Sequence, residues 1–430
     1  MTRRLLKGLL AASLGLLLVL GTTLAGLLGT QGGSRWLLAQ VPGLEVEHFS
    51  GRLGGAWQAE RVRWQQADTQ LQLQRVDFAW SPSCLLRLTL CLDRVHLEQA
   101  ALSVPPSEAS AAPLRLPSLK LPLRLQLGDV RLGELRLDGQ SQLTELQLIG
   151  NWNEQAVDLQ RLTLQRDELQ LEVSGQLTPQ GDWPLALSGR LQLPQIDDRP
   201  WQVALQVAGE LQGTLQLSAD SSGYLDARIQ GKVQALAEQL PAELHLSSRE
   251  FQASSALPAT LQLRDLDLQA RGDLAAGYRI DGTASLPAEQ APMPVQLSGR
   301  VDARGAKIDA LRIQAEEQHV QLDGTLDWSD VFSIDARLDW QDFPWQRLYP
   351  LDQPPPVALH RLQAEMSFSE GNYLGNFSAQ LQGPAGEFSL SSPVSGDLGQ
   401  VSLPQLQLVA GQGRAEGVVR LGFATGIDWQ

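Results

Sequence analysis

The chain has 430 residues, of which 43% are hydrophobic but only 6% aromatic, and its formal net charge is −14. No Lys/Arg cluster lies beyond the N-terminus, and without a basic stripe to meet phosphates a nucleic-acid partner is excluded. The length could fill two or three domains, yet the aliphatic pattern repeats, which points to one elongated, repeat-built body.

Residues 1–7 hold Arg3, Arg4 and Lys7 and read as a basic cytoplasmic N-terminus. Residues 8–34 carry no charge, and their apolar heart is 9–28. Twenty residues at 1.5 Å each span roughly 30 Å, a bilayer core, so 8–34 reads as a transmembrane signal-anchor. Cations before it and none after until Arg35 place the bulk outside the cytoplasm. A cleaved signal peptide, with Thr23 and Ala25 as a poor cleavage site, is the competing reading; the long apolar run favours a retained anchor. Residues 35–43 read as a short interfacial helix capped by Ser34 and ended by Pro42 and Gly43.

From Leu44 the chain reads as strand after strand, with 44–104 as an N-terminal β region. Val62 and Trp64, a polar break, then Leu71 and Leu73 form the first alternating pair. The same unit returns as Leu162 and Leu164 with Leu169, Leu171 and Val173, and as Leu311 and Ile313 with Val320 and Leu322. These last two copies align without a gap through Gly175 and Gly324, 149 residues apart. Cys84 and Cys91, the only cysteines, would lie on opposite faces of a continuous strand and about 10 Å apart on a helix. A bridge therefore needs a bend, for which Pro82 and the 84–87 turn are candidates; two buried thiols are the alternative.

Residues 105–117 are Pro/Ser/Ala-rich and read as a joint. Residues 118–430 read as a repetitive β-groove that continues beyond the given C-terminus. Period-two alternation gives each strand one apolar and one wet face. The residues assigned to the apolar lining are Leu121, Leu123, Leu125 and Leu127; Leu171, Val173, Leu187 and Leu191; Leu205, Val207, Leu211, Leu215 and Leu217; and Leu297, Val320, Leu322 and Leu326. Gly175, Gly189, Gly209, Gly231, Gly282, Gly299, Gly324 and Gly417 occupy slots on that same face. A strand-interior glycine marks a bend, a bulge or a close backbone approach, so these are assigned as bend glycines; turns between shorter strands are the other reading. Val233–Leu240 could hold a helical turn, and Pro344, Pro350 and Pro354–Pro356 mark a second joint.

The chemistry is mostly absence. His48, His96, His245, His319 and His360 are scattered without a carboxylate at ligand spacing, and His245 sits on a polar strand phase. No nucleophile-elbow, zinc-protease or phosphate-loop motif is present. Asp197-Asp198 and Glu316-Glu317 read as solvated turn carboxylates. The expectation is a protein that is not an enzyme, with no cofactor and no metal site.

The fold these features predict is all-β: an elongated, repetitive, strongly curved sheet forming an open apolar groove, preceded by one N-terminal transmembrane helix. At 4.8 Å per strand such a body would run on the order of 120–150 Å. An uncovered trough of that kind could shelter acyl chains, at roughly 0.8 kcal/mol per methylene kept from water. An ordinary solenoid core with no ligand fits the same pattern.

The stretches "GSRWLLAQVPGLEVEHFSGRLGGAW" and "VDFAWSPSCLLRLTLCL", after a basic-then-apolar leader, resemble the N-terminal part of the TamB family. These are inner-membrane-anchored subunits of the bacterial translocation and assembly module, related to the AsmA-like proteins. The likeness is close through residue 100 and weaker to Gln430. It implies a single-pass inner-membrane protein with a cytoplasmic N-terminus and its bulk in the periplasm of a Gram-negative bacterium. It implies work with an outer-membrane Omp85-type barrel, TamA, through a C-terminal region beyond this chain. It further implies phospholipid movement to the outer membrane and assembly of autotransporter or outer-membrane protein substrates. Two functions follow: a lipid conduit, or a non-catalytic scaffold that templates β-strands at an exposed sheet edge.

Overall fold

The computed structural model describes residues 23, 26–67, 69–103, 115–153, 155–351, 353, 355–422 and 428–429. Most of the segments assigned to the cytoplasmic N-terminus, the anchor and the Pro-rich joint lie outside these residues. Among the described residues, no helix is long and apolar enough to cross a membrane. The chain divides into two compact units, residues 1–194 with 200–215, and 195–199 with 216–430.

In the first unit, helix α1 spans Gln31–Ala39. Its cap is Thr30, whose side chain accepts from the Gly33 N–H at 3.2 Å, which corrects the assignment of Ser34. Ser34 is fully buried inside the helix; its hydroxyl faces the Leu27 carbonyl at 3.3 Å and accepts from the Leu53 N–H at 3.0 Å. Thr30 wins because it is the residue with an extended backbone, φ −119° and ψ 151°, and a cap must have one.

Strands β1 (Leu44–Glu47), β2 (Ser50–Gly51), β3 (Ala56–Gln66) and β4 (Thr69–Ser81) follow. A 3-10 turn, Pro82–Arg87, then leads to β5 (Thr89–Ser103). Across that turn Cys84 and Cys91 are joined, with their Cα atoms 6.0 Å apart. The bend is completed by Leu88, at φ 54° in the left-handed region.

Next come β6 (Arg124–Leu137), β7 (Gln140–Leu143), β8 (Glu145–Trp152), β9 (Val157–Arg166), β10 (Leu169–Leu177), β11 (Pro184–Ile196) and β12 (Arg199–Glu210). From β1 to β11 the partners run antiparallel, β3 pairing with β1, β2 and β4, and β6 with β7 and β8, with one departure. β5 and β6 run parallel, Leu90 opposite Leu125 and Leu102 opposite Leu137. Parallel neighbours need a crossover rather than a hairpin.

The stretch Leu205–Leu217 is not one strand, as its alternation suggested. β12 stops at Glu210, residues 211–214 form a turn, and β13 (Leu215–Gly223) follows. The Gly213 N–H donates to the Glu210 carbonyl at 3.0 Å, and the Leu211 N–H to the Trp183 carbonyl at 3.1 Å. A turn can keep the alternating phase, which is why the sequence hides it.

In the second unit the strands are β14 (Ala227–Val233), β15 (Ala242–Phe251), β16 (Leu263–Asp273), β17 (Gly277–Leu286), β18 (Met293–Val301), β19 (Gly305–Ala315), β20 (Gln318–Asp327), β21 (Ser333–Gln341), β22 (Ala358–Ser369), β23 (Asn372–Gly383), β24 (Gly386–Asp397), β25 (Gln400–Ala410), β26 (Gly413–Gly422) and β27 (Asp428–Trp429). From β14 onward each pairs antiparallel with the next. Residues 234–240 are turns, not the helical turn expected of Val233–Leu240. Tight hairpins take acidic residues at positive φ, with Asp167 at 51°, Asp197 at 54° and Glu316 at 58°, because short polar side chains tolerate the left-handed region best.

The strands run straight through the glycines: β11 through Gly189, β18 through Gly299 and β20 through Gly324. The alternative of turns at these sites is therefore not realised. The three-strand set β8–β10 repeats as β18–β20, bulges included. In β9–β10 the register skips between Val173–Leu162 and Gly175–Leu159; in β19–β20 it skips between Leu322–Leu311 and Gly324–Ile308. Each glycine thus faces a strand carrying an extra residue, which adds local twist and bend.

Candidate functional site

Pairing register converts the alternation into rows. In the first unit one row runs Leu191, Leu171, Leu164, Leu146, Leu132, Leu97, Val76 and Ala59 across β11, β10, β9, β8, β6, β5, β4 and β3. A second runs Val173, Leu162, Leu148, Val130, Val95, Phe78 and Trp57. In the second unit a row runs Leu246, Leu268, Gly282, Leu297, Leu311, Leu322, Leu338, Ala364 and Phe377. Each is apolar throughout, with successive side chains of a row ~4.8 Å apart from strand to strand.

These faces are only partly covered. Along β11 the phase of Leu185, Leu187 and Leu191 is half-buried while the intervening residues are exposed, and β22 repeats this with Leu362, Met366 and Phe368. Leu121, Leu123, Leu125, Leu127, Leu171, Val173, Leu187, Leu191, Leu205, Val207, Leu211, Leu217, Leu297, Val320, Leu322 and Leu326 are all half-buried, whereas Leu215 is buried at 6% exposure. Leu121 and Leu123 precede β6, and Leu211 sits on the turn described above, so these three line the face from irregular backbone. Ile280, Ile308, Met366 and Val394 stand on an adjoining row the lining assignment omitted. Their alternation was legible.

The glycines keep neighbouring backbones close. A β-carbon on Gly175 would lie 2.2 Å from the Ala186 carbonyl oxygen, on Gly209 2.4 Å from that of Thr214, on Gly231 2.2 Å from that of Glu243 and on Gly299 2.5 Å from that of Lys307. Such contacts are closer than van der Waals packing permits. Gly189 is looser, at 2.9 Å from the Glu172 carbonyl, and Gly282 meets a Leu268 methyl at 2.3 Å. Gly417 has nothing within 4 Å, so no steric demand places glycine there, though it too faces a bulge: the register skips between Val419–Leu403 and Gly417–Leu406.

One border of the face in the second unit is sealed. Leu286, Ala288, Met293, Ala315, Phe343 and Leu348 form a buried cluster with Val295, Ile313, Val320, Trp340 and Trp345 against it. A strap holding the 3-10 turn Trp345–Arg347 closes over it. Arg347 ties the strap down, its Nε donating to the Glu289 carbonyl at 2.8 Å and its guanidinium to the Ala291 carbonyl at 2.9 Å.

The polar phase carries paired charges. Every histidine has a carboxylate partner: His48–Glu60 at 2.9 Å, His96–Asp129 at 2.8 Å, His245–Asp267 at 2.6 Å, His319–Asp339 at 3.5 Å and His360–Asp342 at 2.6 Å. Spacing along the chain missed them because most of the partners sit on adjacent strands. The hydrogen bond that the His360 ring donates to the Asp342 carboxylate raises the His360 pKa. A concavity of about 700 Å³ on this side is lined by Lys307, Asp309, Arg337 and Glu365, whose charges already pair at 3.1 Å and 3.0 Å. Among the described residues no group of three or more metal-ligating side chains is assembled.

The family model described as "TamB, N-terminal domain" matches residues 19–113 and 105–351. A curated relative, the translocation and assembly module subunit TamB of Haemophilus influenzae, is 26% identical over 200 residues. That alignment covers 43% of this chain and 15% of the relative, so the chain spans a minor part of that protein's length. No solved structure matches.

Proposed function

The chain belongs to the TamB N-terminal domain family, and from that premise we propose that it is the inner-membrane-anchored periplasmic part of a translocation and assembly module, holding phospholipid acyl chains along its apolar face. The observation that carries the reading is the half-burial of the leucines along these rows, side chains that the protein's own segments leave partly uncovered, although Val76 and Ala59 at one end are buried. In a filled solenoid those positions would be buried like Met293. Each methylene laid on such a row leaves water at a gain of roughly 0.8 kcal/mol, while head groups stay wet. The function has no catalytic step, and the barrel partner TamA and autotransporter substrates belong to the whole module.

Two measurements test it. A photo-reactive side chain at position 322, on an apolar row, should give phospholipid adducts by mass spectrometry, and one at exposed position 325 should not. Leu322→Arg should block outer-membrane phospholipid supply with the folded protein level unchanged. Normal supply with a folded variant would favour the strand-templating scaffold, which edge pairing alone sustains.

A further inference from the structure

We propose that the disulfide-bonded turn around Cys84–Cys91 dips into a phospholipid bilayer beside the chain's own N-terminal apolar segment, as a second membrane contact. This rests on reading residues 8–34 as an anchor. The turn presents Leu86 at 91% exposure, Leu88 at 66% and Leu85 at 40%, the densest run of bare aliphatic side chains among the described residues. Large side chains of this kind in a tight, stapled turn do not fold back onto the sheet. The Leu88 N–H is bound to the Leu85 carbonyl at 3.0 Å, the Leu88 carbonyl accepts from the Arg124 N–H at 2.9 Å, and the cysteines lock the base.

The position of the turn names its occupant. At the same end of the unit, the Trp80 indole N–H donates to the Leu53 carbonyl at 2.7 Å. Leu53 in turn donates to Ser34, and the Gly54 N–H donates to the Leu28 carbonyl at 2.8 Å. The stretch 52–55 therefore links the base of the turn to Leu28, the last residue of the uncharged apolar heart, 9–28. Whatever surface that segment enters lies against the leucines. Charge agrees: in a chain of net charge −14, residues 82–92 contain no carboxylate and one cation, Arg87, which suits an anionic head-group region. Beyond the turn, Leu90 and Leu92 pair with Leu125 and Leu127, so its apolar surface leads onto the rows.

The test uses the full chain reconstituted in phosphatidylethanolamine/phosphatidylglycerol vesicles, with a photo-reactive phenylalanine analogue at position 86, 16 or 176. Position 16 reports the anchor, and position 176 lies exposed on β10. The expected result is at least tenfold more phospholipid adduct at 86 than at 176; position 85 is read the same way if the first variant fails to fold. Adduct at 16 with none at 86 overturns the proposal and leaves the anchor standing. Adduct at 86 without adduct at 16 supports the contact and overturns the anchor. A protein-only adduct at 86 overturns the proposal in favour of a protein partner.

Discussion

Across the β20–β21 pairing Gly324 stands opposite Ala336, and a β-carbon on Gly324 would sit 2.3 Å from the carbonyl oxygen of Asp335, the residue before that partner. The obstacle is backbone, which cannot rotate aside as a side chain can. Gly324→Ala should therefore destabilise by about 1–3 kcal/mol, as overpacking does. Gly417→Ala, with open space around it, should change little. Urea unfolding of the two variants measures the difference, and equal stabilities would remove the steric account of these glycines.

Truncation separates an open face from a filled one. Phe343 is 4% exposed within the sealed cluster, so Phe343→Ala should cost about 3–5 kcal/mol. Leu322, half-buried on its row, has given up less water and should cost about 1 kcal/mol when cut to alanine. If Leu322→Ala costs as much as Phe343→Ala, the row is an ordinary core.

The Cys84–Cys91 bond closes a short loop, and short loops bring modest entropic stabilisation, about 2 kcal/mol. Cys84→Ser should lower the unfolding midpoint accordingly and raise protease cutting at Arg87. Unchanged cutting would mean the turn holds its shape without the bond.

His360 has a raised pKa because Asp342, then Gln382, hydrogen-bond its ring. Its contribution is fully present below the ordinary imidazole value of about 6.5 and disappears as pH climbs through the raised folded value. His360→Gln should thus lose stability near pH ~5 and match the parent near pH ~9. Asp327 runs the opposite way: hydrogen bonds from the Ser329 side chain and backbone lower its pKa, so its contribution fades as pH falls. A pH-independent difference for His360→Gln would argue against the pair.

Much of this was legible in the residues. The 149-residue repeat, seen as matching Leu/Val positions, proved to be matching hairpins with matching bulges at Gly175 and Gly324. The acidic pair at Glu316-Glu317 sits at a turn as its composition suggested. What stayed hidden depended on contacts distant in sequence. Thr30 outcompeted Ser34 as cap because the helix begins a turn earlier than the sequence pattern suggests, and Ser34, inside it, turns its hydroxyl to the distant Leu53 N–H instead. The turn at 211–214 kept the alternating phase and left no mark. His96 finds Asp129 only because β5 lies parallel to β6, and no local pattern encodes that choice.

That parallel seam has a consequence for how the chain acquires its shape. Where a pair such as β9 and β10 is joined by a tight antiparallel hairpin, the new strand can zip onto the one just made at small entropic expense. Because β6 runs parallel to β5, the chain must return to the start of β5 before β6 can dock, a longer closure that slows pairing. Until that crossing is complete, β5 presents a bare edge, and assembly of the ladder beyond it is paced by this one step.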